Sequence, residues 1–405
     1  MGISRMKKKI YIDKVLLNIG MAVLFWNITG CALPRNPVPV EKITEARIAG
    51  MPTNIRCWDF NCKPSLDQNS FASSDCSFLA ISGGGANGAF GAGFLCGWSA
   101  SGTRPNFRIV TGISTGALIA PLAFLSPKYD ERLKTFYTTV RTRDIMRVQG
   151  LIGMGIGPLL FGESYASSQP LADMINQEID KEVLKEVAEQ YAKGRRLYIG
   201  TTNLDAQRLI IWDMGAIAAS GNPDALNLFR KVMLASASIP GVFPPVYFNV
   251  ETDGKKYDEM HVDGGTITEV FGYGSEFFEE SAISGKMAAE TCSIYVIRNG
   301  KLATETEQIP RKALKIISRS LDTLMKVHSW GDMYRLYFVA QRDKVGFNYV
   351  SIPDSYVAKE TEMFDPQEMI RLFNLGFEMA KSGYKWNKIP VGLRGSEDSS
   401  RTWTP

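Results

Sequence analysis

The chain alternates short, unbroken apolar runs with longer stretches in which apolar residues recur every three or four positions. The runs from Cys76 to Ser82 and from Phe107 to Ile113 both feed into glycines, the pattern of buried strands entering turns. Leu197 to Thr202, Leu209 to Asp213 and Ile294 to Ile297 are further strand candidates. Ala117 to Leu125 stays apolar apart from Pro121 and predicts a helix laid on a sheet. Leu171 to Lys193 and Arg311 to Val327 have helical spacing with charged outer faces, and Trp330, Tyr334, Tyr337 and Phe338 read as a packing face of the same period. Strands alternating with helices predict a layered α/β domain with a mainly parallel sheet.

The N-terminus follows another pattern. A basic stretch to Lys14 precedes an apolar run from Val15 to Ile28, and the run leads into Ile28-Thr29-Gly30-Cys31. The run is short of the ~20 residues that span a bilayer as a helix, so the layout is that of a secretory signal. Its last four residues resemble the lipobox of bacterial lipoproteins. That resemblance implies removal of residues 1–30 as a signal peptide and a lipidated Cys31 as the mature N-terminus. Ala32, where Asp would imply inner-membrane retention, implies the outer membrane of the cell envelope. Pro34, Pro37, Pro39, Pro52 and Pro64 with few apolar runs make residues 31–75 a lipidated tether rather than a domain.

Composition narrows the partners. The 405 residues are 45% hydrophobic and 22% charged, a globular composition. Net charge is +4, and Arg5, Lys7, Lys8, Lys9 and Lys14 against Asp13 already account for it, so the remainder is near neutral. A neutral body argues against nucleic acid, which is bound by clustered Lys and Arg. Cys31 aside, five cysteines remain, an odd number. Export into an oxidising compartment predicts a bridge among Cys57, Cys62 and Cys76, with Cys96 and Cys292 as buried thiols. No Cys-x-x-Cys pair or histidine cluster suggests a metal.

Three glycine-bearing motifs carry the chemistry. Gly112-Ile113-Ser114-Thr115-Gly116 stands between a strand-like and a helix-like run, where a sharp turn lifts a serine clear of its neighbours. The following helix adds N–H groups and a positive dipole end near a developing negative charge. Gly83-Gly84-Gly85-Ala86-Asn87-Gly88 also follows a strand, and such a loop can cradle a phosphate or form an oxyanion hole. No acidic ribose partner follows at the end of a second strand, which favours the oxyanion role. Asp263-Gly264-Gly265 is on its own an ordinary turn, yet a serine nucleophile needs a base and only His261 and His328 exist. The hydrolase order of serine, acid and histidine leaves His328 alone as a triad member, in a helix-like stretch, while His261 shares a strand face with Asp263.

Glycine loop, Gly-x-Ser-x-Gly and Asp-Gly-Gly in this order resemble the patatin-like phospholipase family, as does Ala235-Ser236-Ala237-Ser238-Ile239-Pro240 followed by Phe243-Pro244-Pro245. The resemblance spans roughly residues 77 to 275. It implies a three-layer α/β fold with a mainly parallel central sheet and a Ser-Asp dyad without histidine. Ser114 takes the nucleophile's place, Asp263 the base's, and Gly83, Gly84, Gly85 and Ala86 the oxyanion hole. Gly88, Gly112, Gly116, Gly264 and Gly265 complete the motifs, with no cofactor, no metal, and membrane lipid as substrate. Asn87 stands where that family often has Arg or Lys, which leaves phospholipid preference open. The expected organisation is a catalytic domain over 76–300, a helical C-terminal extension over 301–390 and a polar tail over 391–405. The expected function is lipid ester hydrolysis. Acyl transfer to another acceptor and a catalytically silent lipid- or partner-binding protein are the alternatives. Ile145 to Phe161 reads equally as an apolar cap or a buried connection.

Overall fold

The computed structural model describes residues 35–59, 76–125, 127–148, 163–272, 292–359, 362 and 364–393. The signal segment, Cys31, Cys62, residues 149–161 of the apolar run and residues 394–405 of the tail lie outside them. Twelve strands are named in chain order: β1 (Arg47–Ile48), β2 (Arg56–Trp58), β3 (Ser77–Ile81), β4 (Ile109–Gly112), β5 (Arg147–Val148), β6 (Ala166–Ser167), β7 (Arg196–Asn203), β8 (Arg208–Asp213), β9 (Val246–Thr252), β10 (Lys255–Asp263), β11 (Ser293–Arg298) and β12 (Gly346–Ser351). Apart from the small β5–β6 pair they form one sheet, ordered β1-β9-β10-β7-β4-β3-β11-β12, with β8 on β7 and β2 on β8. The block β7-β4-β3-β11-β12 is parallel, and every pairing between named strands beyond it is antiparallel.

Alternation along the parallel strands sends side chains to two cores, which makes the fold three-layered. On one face Leu79, Ile81, Val110, Leu197 and Ile199 meet helices α1 (Gly88–Ala100), α2 (Thr115–Leu125), α3 (Gln169–Glu178), α4 (Lys181–Ala192) and α5 (Ala225–Ser236). On the other face Phe78, Ala80, Ile109, Ile294 and Val296 meet Met333, Leu336 and Ala340 of helix α6 (Ala313–Arg342). The single helical stretch expected over Leu171 to Lys193 is two helices. Asp180 separates them, and its side chain caps α4 by accepting from Val183 N–H.

The C-terminal segment holds more than helices. Residues 346–351 form β12, which completes the parallel block beside β11. Helix α7 (Pro366–Lys381) packs backbone to backbone on α1. A Cβ on Gly93 or Gly97 would stand 1.9 or 2.1 Å from the carbonyl oxygens of Phe373 and Phe377, and one on Gly376 would meet Phe90 O at 2.2 Å. Only hydrogen fits at those three places, so this segment is part of the main core. Residues 35–59 are likewise more than a tether. Val38, Ala46 and Ile55 are buried, and β1 and β2 pair with β9 and β8. Those partner strands are far along the chain, which hides the pairing from local pattern.

Cysteine pairing also departs from expectation. Cys76 is bonded to Cys292, across the starts of the adjacent parallel strands β3 and β11, because the register sets Ser77 beside Ser293. Cys292 is therefore no thiol. Cys57 is disulfide-bonded as well. Cys96 is a buried free thiol, pushed up to about 12 by burial. No helix among the described residues is long and apolar enough to cross a membrane.

Candidate active site

Ser114 sits between β4 and α2 with φ 53°, a left-handed backbone that costs a non-glycine residue roughly 1–3 kcal/mol. The turn closes so tightly that a Cβ on Gly112 would lie 2.3 Å from Gly116 O, and one on Gly116 2.3 Å from Ile81 O. Ser236, at the end of α5, seats the elbow: its Oγ accepts Ser114 N–H at 3.0 Å and donates to Gly200 O at 2.7 Å. Two residues on, Ser238 O accepts Asp263 N–H at 2.9 Å. The segment before Pro240 thus holds both the elbow and the end of β10, a role that the sequence pattern alone did not disclose.

The glycine loop follows β3 and turns into α1 through a single 3-10 turn, Gly85–Asn87. Gly84 has φ 148° and Gly85 φ 55°, and a Cβ on Gly84 would stand 2.1 Å from Asn299 O. Gly88 packs against Thr115, where a Cβ would meet Oγ1 at 2.2 Å. One member of the expected oxyanion hole drops out, because Gly83 N–H already donates to Glu269 O at 2.9 Å. Among the described residues the N–H groups of Gly84, Gly85 and Ala86 have no such acceptor.

Asp263 ends β10 and is buried with Ser114. Its Oδ1 accepts Gly265 N–H at 2.7 Å, and Oδ2 is buried without a hydrogen-bond partner. Burial pushes the carboxyl up to about 7, opposed by the nearby Ser114 hydroxyl and by Gly265 N–H. The hydroxyl is close enough to favour the carboxylate, yet it does not reach Oδ2 in hydrogen-bonding geometry, a looseness common before substrate binds. Gly264 lies against the neighbouring strand, where a Cβ would stand 2.6 Å from Gly200 O. A second carboxylate, Glu269, is fully buried between the glycine loop and the Asp263 turn.

Neither histidine joins them. His261 is buried in β10 with both ring nitrogens engaged: Nε2 lies 3.2 Å from Glu259 Oε2 and Nδ1 2.9 Å from Thr201 Oγ1. A carboxylate only accepts, so the proton is on Nε2 and Nδ1 accepts from Thr201, whose oxygen takes Trp212 Nε1–H at 2.8 Å. Burial lowers the imidazole below its usual value despite Glu259, and the ring is neutral at pH 7. His328 is exposed on α6. Among the described residues no group of three His, Cys, Asp or Glu side chains could hold a metal. An open cavity of about 480 Å³ lined by Arg104, Phe107, Phe124 and Arg195 lies at the other, N-terminal ends of β4 and β7. Its arginines are bonded to backbone carbonyls of Leu95, Ala123, Phe107 and Phe124, a structural use.

Residues 79–270 match the family model described as patatin-like phospholipase. The chain carries a patatin-like phospholipase domain. The match runs from β3 through the glycine loop, elbow and Asp-Gly-Gly turn, so the patatin-like domain contains the whole site described above. The family is one of lipolytic acyl hydrolases. No curated protein matches the chain. Among solved structures, the crystal structure of VipD from Legionella pneumophila is similar at 12% sequence identity and TM-score 0.37, covering 77% of this chain and 67% of that one.

Proposed function

We propose that the patatin-like domain hydrolyses carboxylic esters of membrane lipids through a Ser114–Asp263 dyad. The observation that carries the reading is a serine in a left-handed elbow beside a buried carboxylate that has no cationic partner among the described residues. Asp263 accepts the hydroxyl proton as Ser114 Oγ attacks the ester carbonyl. The N–H groups of Gly84, Gly85 and Ala86 take the oxyanion of the tetrahedral intermediate. Collapse expels the alcohol, which takes the proton from Asp263, and leaves an acyl-serine. Asp263 then draws a proton from water as its oxygen attacks the acyl group, and collapse frees the acid while Ser114 Oγ takes the proton back from Asp263. A carboxylate of ordinary pKa is a weak base for a serine, so its rise to about 7 supports this role. Lipidation of Cys31 would hold the enzyme at the outer membrane beside its substrate, and intact-mass analysis of membrane fractions should find residues 1–30 removed and an acylated Cys31.

The test uses a fluorophosphonate probe and short-chain and phospholipid esters on the mature chain. Covalent labelling with turnover, both lost in Ser114→Ala, is the expected result. A wild-type chain that neither labels nor turns over ester, yet binds lipid vesicles, would establish the silent alternative.

A further inference from the structure

The side chains that hold the glycine loop lie outside all three motifs. Arg298 Nη1, at the end of β11, donates to Gly83 O at 3.0 Å and to Ser82 Oγ at 3.1 Å, and pairs with Glu269 Oε2 at 3.3 Å. Asn299 adds bonds from its N–H to Ser82 Oγ at 2.8 Å and from Nδ2 to Ser82 O at 2.9 Å. Glu269 binds the loop through its backbone and faces the dyad with its carboxylate. Its Oε2 is 2.9 Å from the point that a side chain on Gly83 would occupy, and Ser114 Cβ is 3.3 Å from the same point. Its Oε1 is 2.8 Å from the corresponding point at Gly265, and Asp263 Oδ1 is 3.1 Å from it. Oε1 is buried with no hydrogen-bond partner, and Glu269, Arg298 and Ser82 are all buried.

A trans peptide directs its C=O and N–H to opposite sides. Gly83 O is held by Arg298 and by the Ser82 hydroxyl at 2.7 Å, so the Gly84 N–H of the same peptide is turned away from β11. We propose that Arg298 and Glu269 are a positioning pair, which locks the Gly83–Gly84 peptide with its N–H presented to the oxyanion and couples that loop to the turn carrying Asp263. This rests on the hydrolase reading above and adds two residues that act through others. Arg298 supplies a planar, rigidly oriented guanidinium: Nη1 lies within reach of the carbonyl, the hydroxyl and the carboxylate together, a placement that the freely rotating ammonium of Lys does not fix. Glu269 Oε2 pairs with Arg298 Nη1 and helps keep it in place, while burial, with Asp263 and Asp332 nearby, pushes the Glu269 carboxyl up to about 7. The charged groups around it are Arg298, Asp263 and Asp332, with Arg335 on the far side of Asp332.

The experiment is steady-state hydrolysis of a p-nitrophenyl ester by the full mature chain, comparing wild type, Ser114→Ala, Arg298→Lys, Arg298→Met and Glu269→Gln, each checked by near-ultraviolet circular dichroism. Both Arg298 variants should lose about 10²-fold in kcat, the scale of one lost oxyanion donor, with KM changed less than about threefold. Glu269→Gln should lose about 10-fold in kcat, and its acid limb should move down, since Asp263 no longer shares that pH range with a second buried carboxyl beside it. Arg298→Lys keeps the charge and decides the matter if Arg298→Met does not fold. Folded Arg298 variants with kcat within threefold of wild type, losses seen only in KM, or an unmoved acid limb in Glu269→Gln would overturn the pair. A wild type without turnover or probe labelling would instead overturn the hydrolase reading, and this inference with it.

Discussion

Glu259 and Asp263 are buried carboxylates on the same strand, and the fold treats them in opposite ways. Arg56 grips Glu259 with two nitrogens at 2.6 and 3.0 Å, and His261 stands at 3.2 Å. Burial alone would push Glu259 up, but the His261 hydrogen bond and the Arg56 guanidinium outweigh it and hold the carboxyl below its ordinary value. Asp263 has only a backbone N–H and the nearby serine hydroxyl, and burial pushes it up to about 7. The first carboxylate is a fastener, since Arg56 also donates to Ala46 O at 2.8 Å and so ties residues 35–59 to the antiparallel side of the sheet. The second keeps a tunable proton affinity where chemistry needs one. On this strand, two guanidinium bonds and an imidazole hold Glu259 as an ionised fastener, whereas Asp263, with no cationic partner among the described residues, is left with a proton affinity near neutrality.

The sharpest way to break this comparison is to neutralise each carboxylate and read activity. Asp263→Asn should lower kcat by about 10²- to 10⁴-fold, the range for a positioned general base. Folded Glu259→Gln should stay within about threefold of wild type. The wild-type rate should climb through an acid limb near pH 7 as Asp263 ionises, and a limb near pH 4 would deny the raised carboxyl. Equal losses in the two variants would erase the distinction.

Stability should respond the other way round. Arg56→Ala strands Glu259 as an uncompensated buried charge and should cost about 3–5 kcal/mol in urea unfolding, the usual penalty for breaking a buried pair. A loss below about 1 kcal/mol would show that the clamp on residues 35–59 is incidental.

Asp263→Asn should instead stabilise the protein at alkaline pH. Because the folded carboxyl holds its proton more tightly than the unfolded one, the stability linked to that proton is fully present below about pH 4 and is lost as pH rises through about 7. Asn does not titrate, so the variant should melt about 3 °C or more above wild type at pH 8, and the gap should shrink at pH 4. A gap that widens toward acid would contradict the sign. The smallest effect belongs to exposed His328, where alanine should change hydrolysis by less than about twofold. A loss as deep as in Ser114→Ala would return the chemistry to a histidine triad.

Much of the site was legible because its motifs answer local demands. Gly84 and Gly85 adopt backbones that side chains resist, and Gly112 and Gly116 pack against carbonyl oxygens with no room for a Cβ, so these requirements are written as glycine in the chain itself. The parallel strands were legible as apolar runs because both of their faces are covered. Gly83 was misassigned within its motif, since the acceptor that occupies its N–H is Glu269, which belongs to another part of the chain. Arg298 carried a faint signal, as a charged residue ending an apolar strand, but nothing nearby in sequence says what it binds.

The sequence by itself determined the layered α/β class, the turn that carries Ser114, the glycine loop and the Asp-Gly-Gly turn, because each depends on backbone geometry and burial within a few residues. Tertiary structure alone decided that Cys76 pairs with Cys292, that residues 35–59 and 346–381 complete the sheet and core, and that Glu259 is neutralised while Asp263 is not. Those outcomes depend on which distant strands become neighbours and in what register. A buried group's partner, and hence its charge, is set by that neighbourhood and not by the residues beside it in the chain.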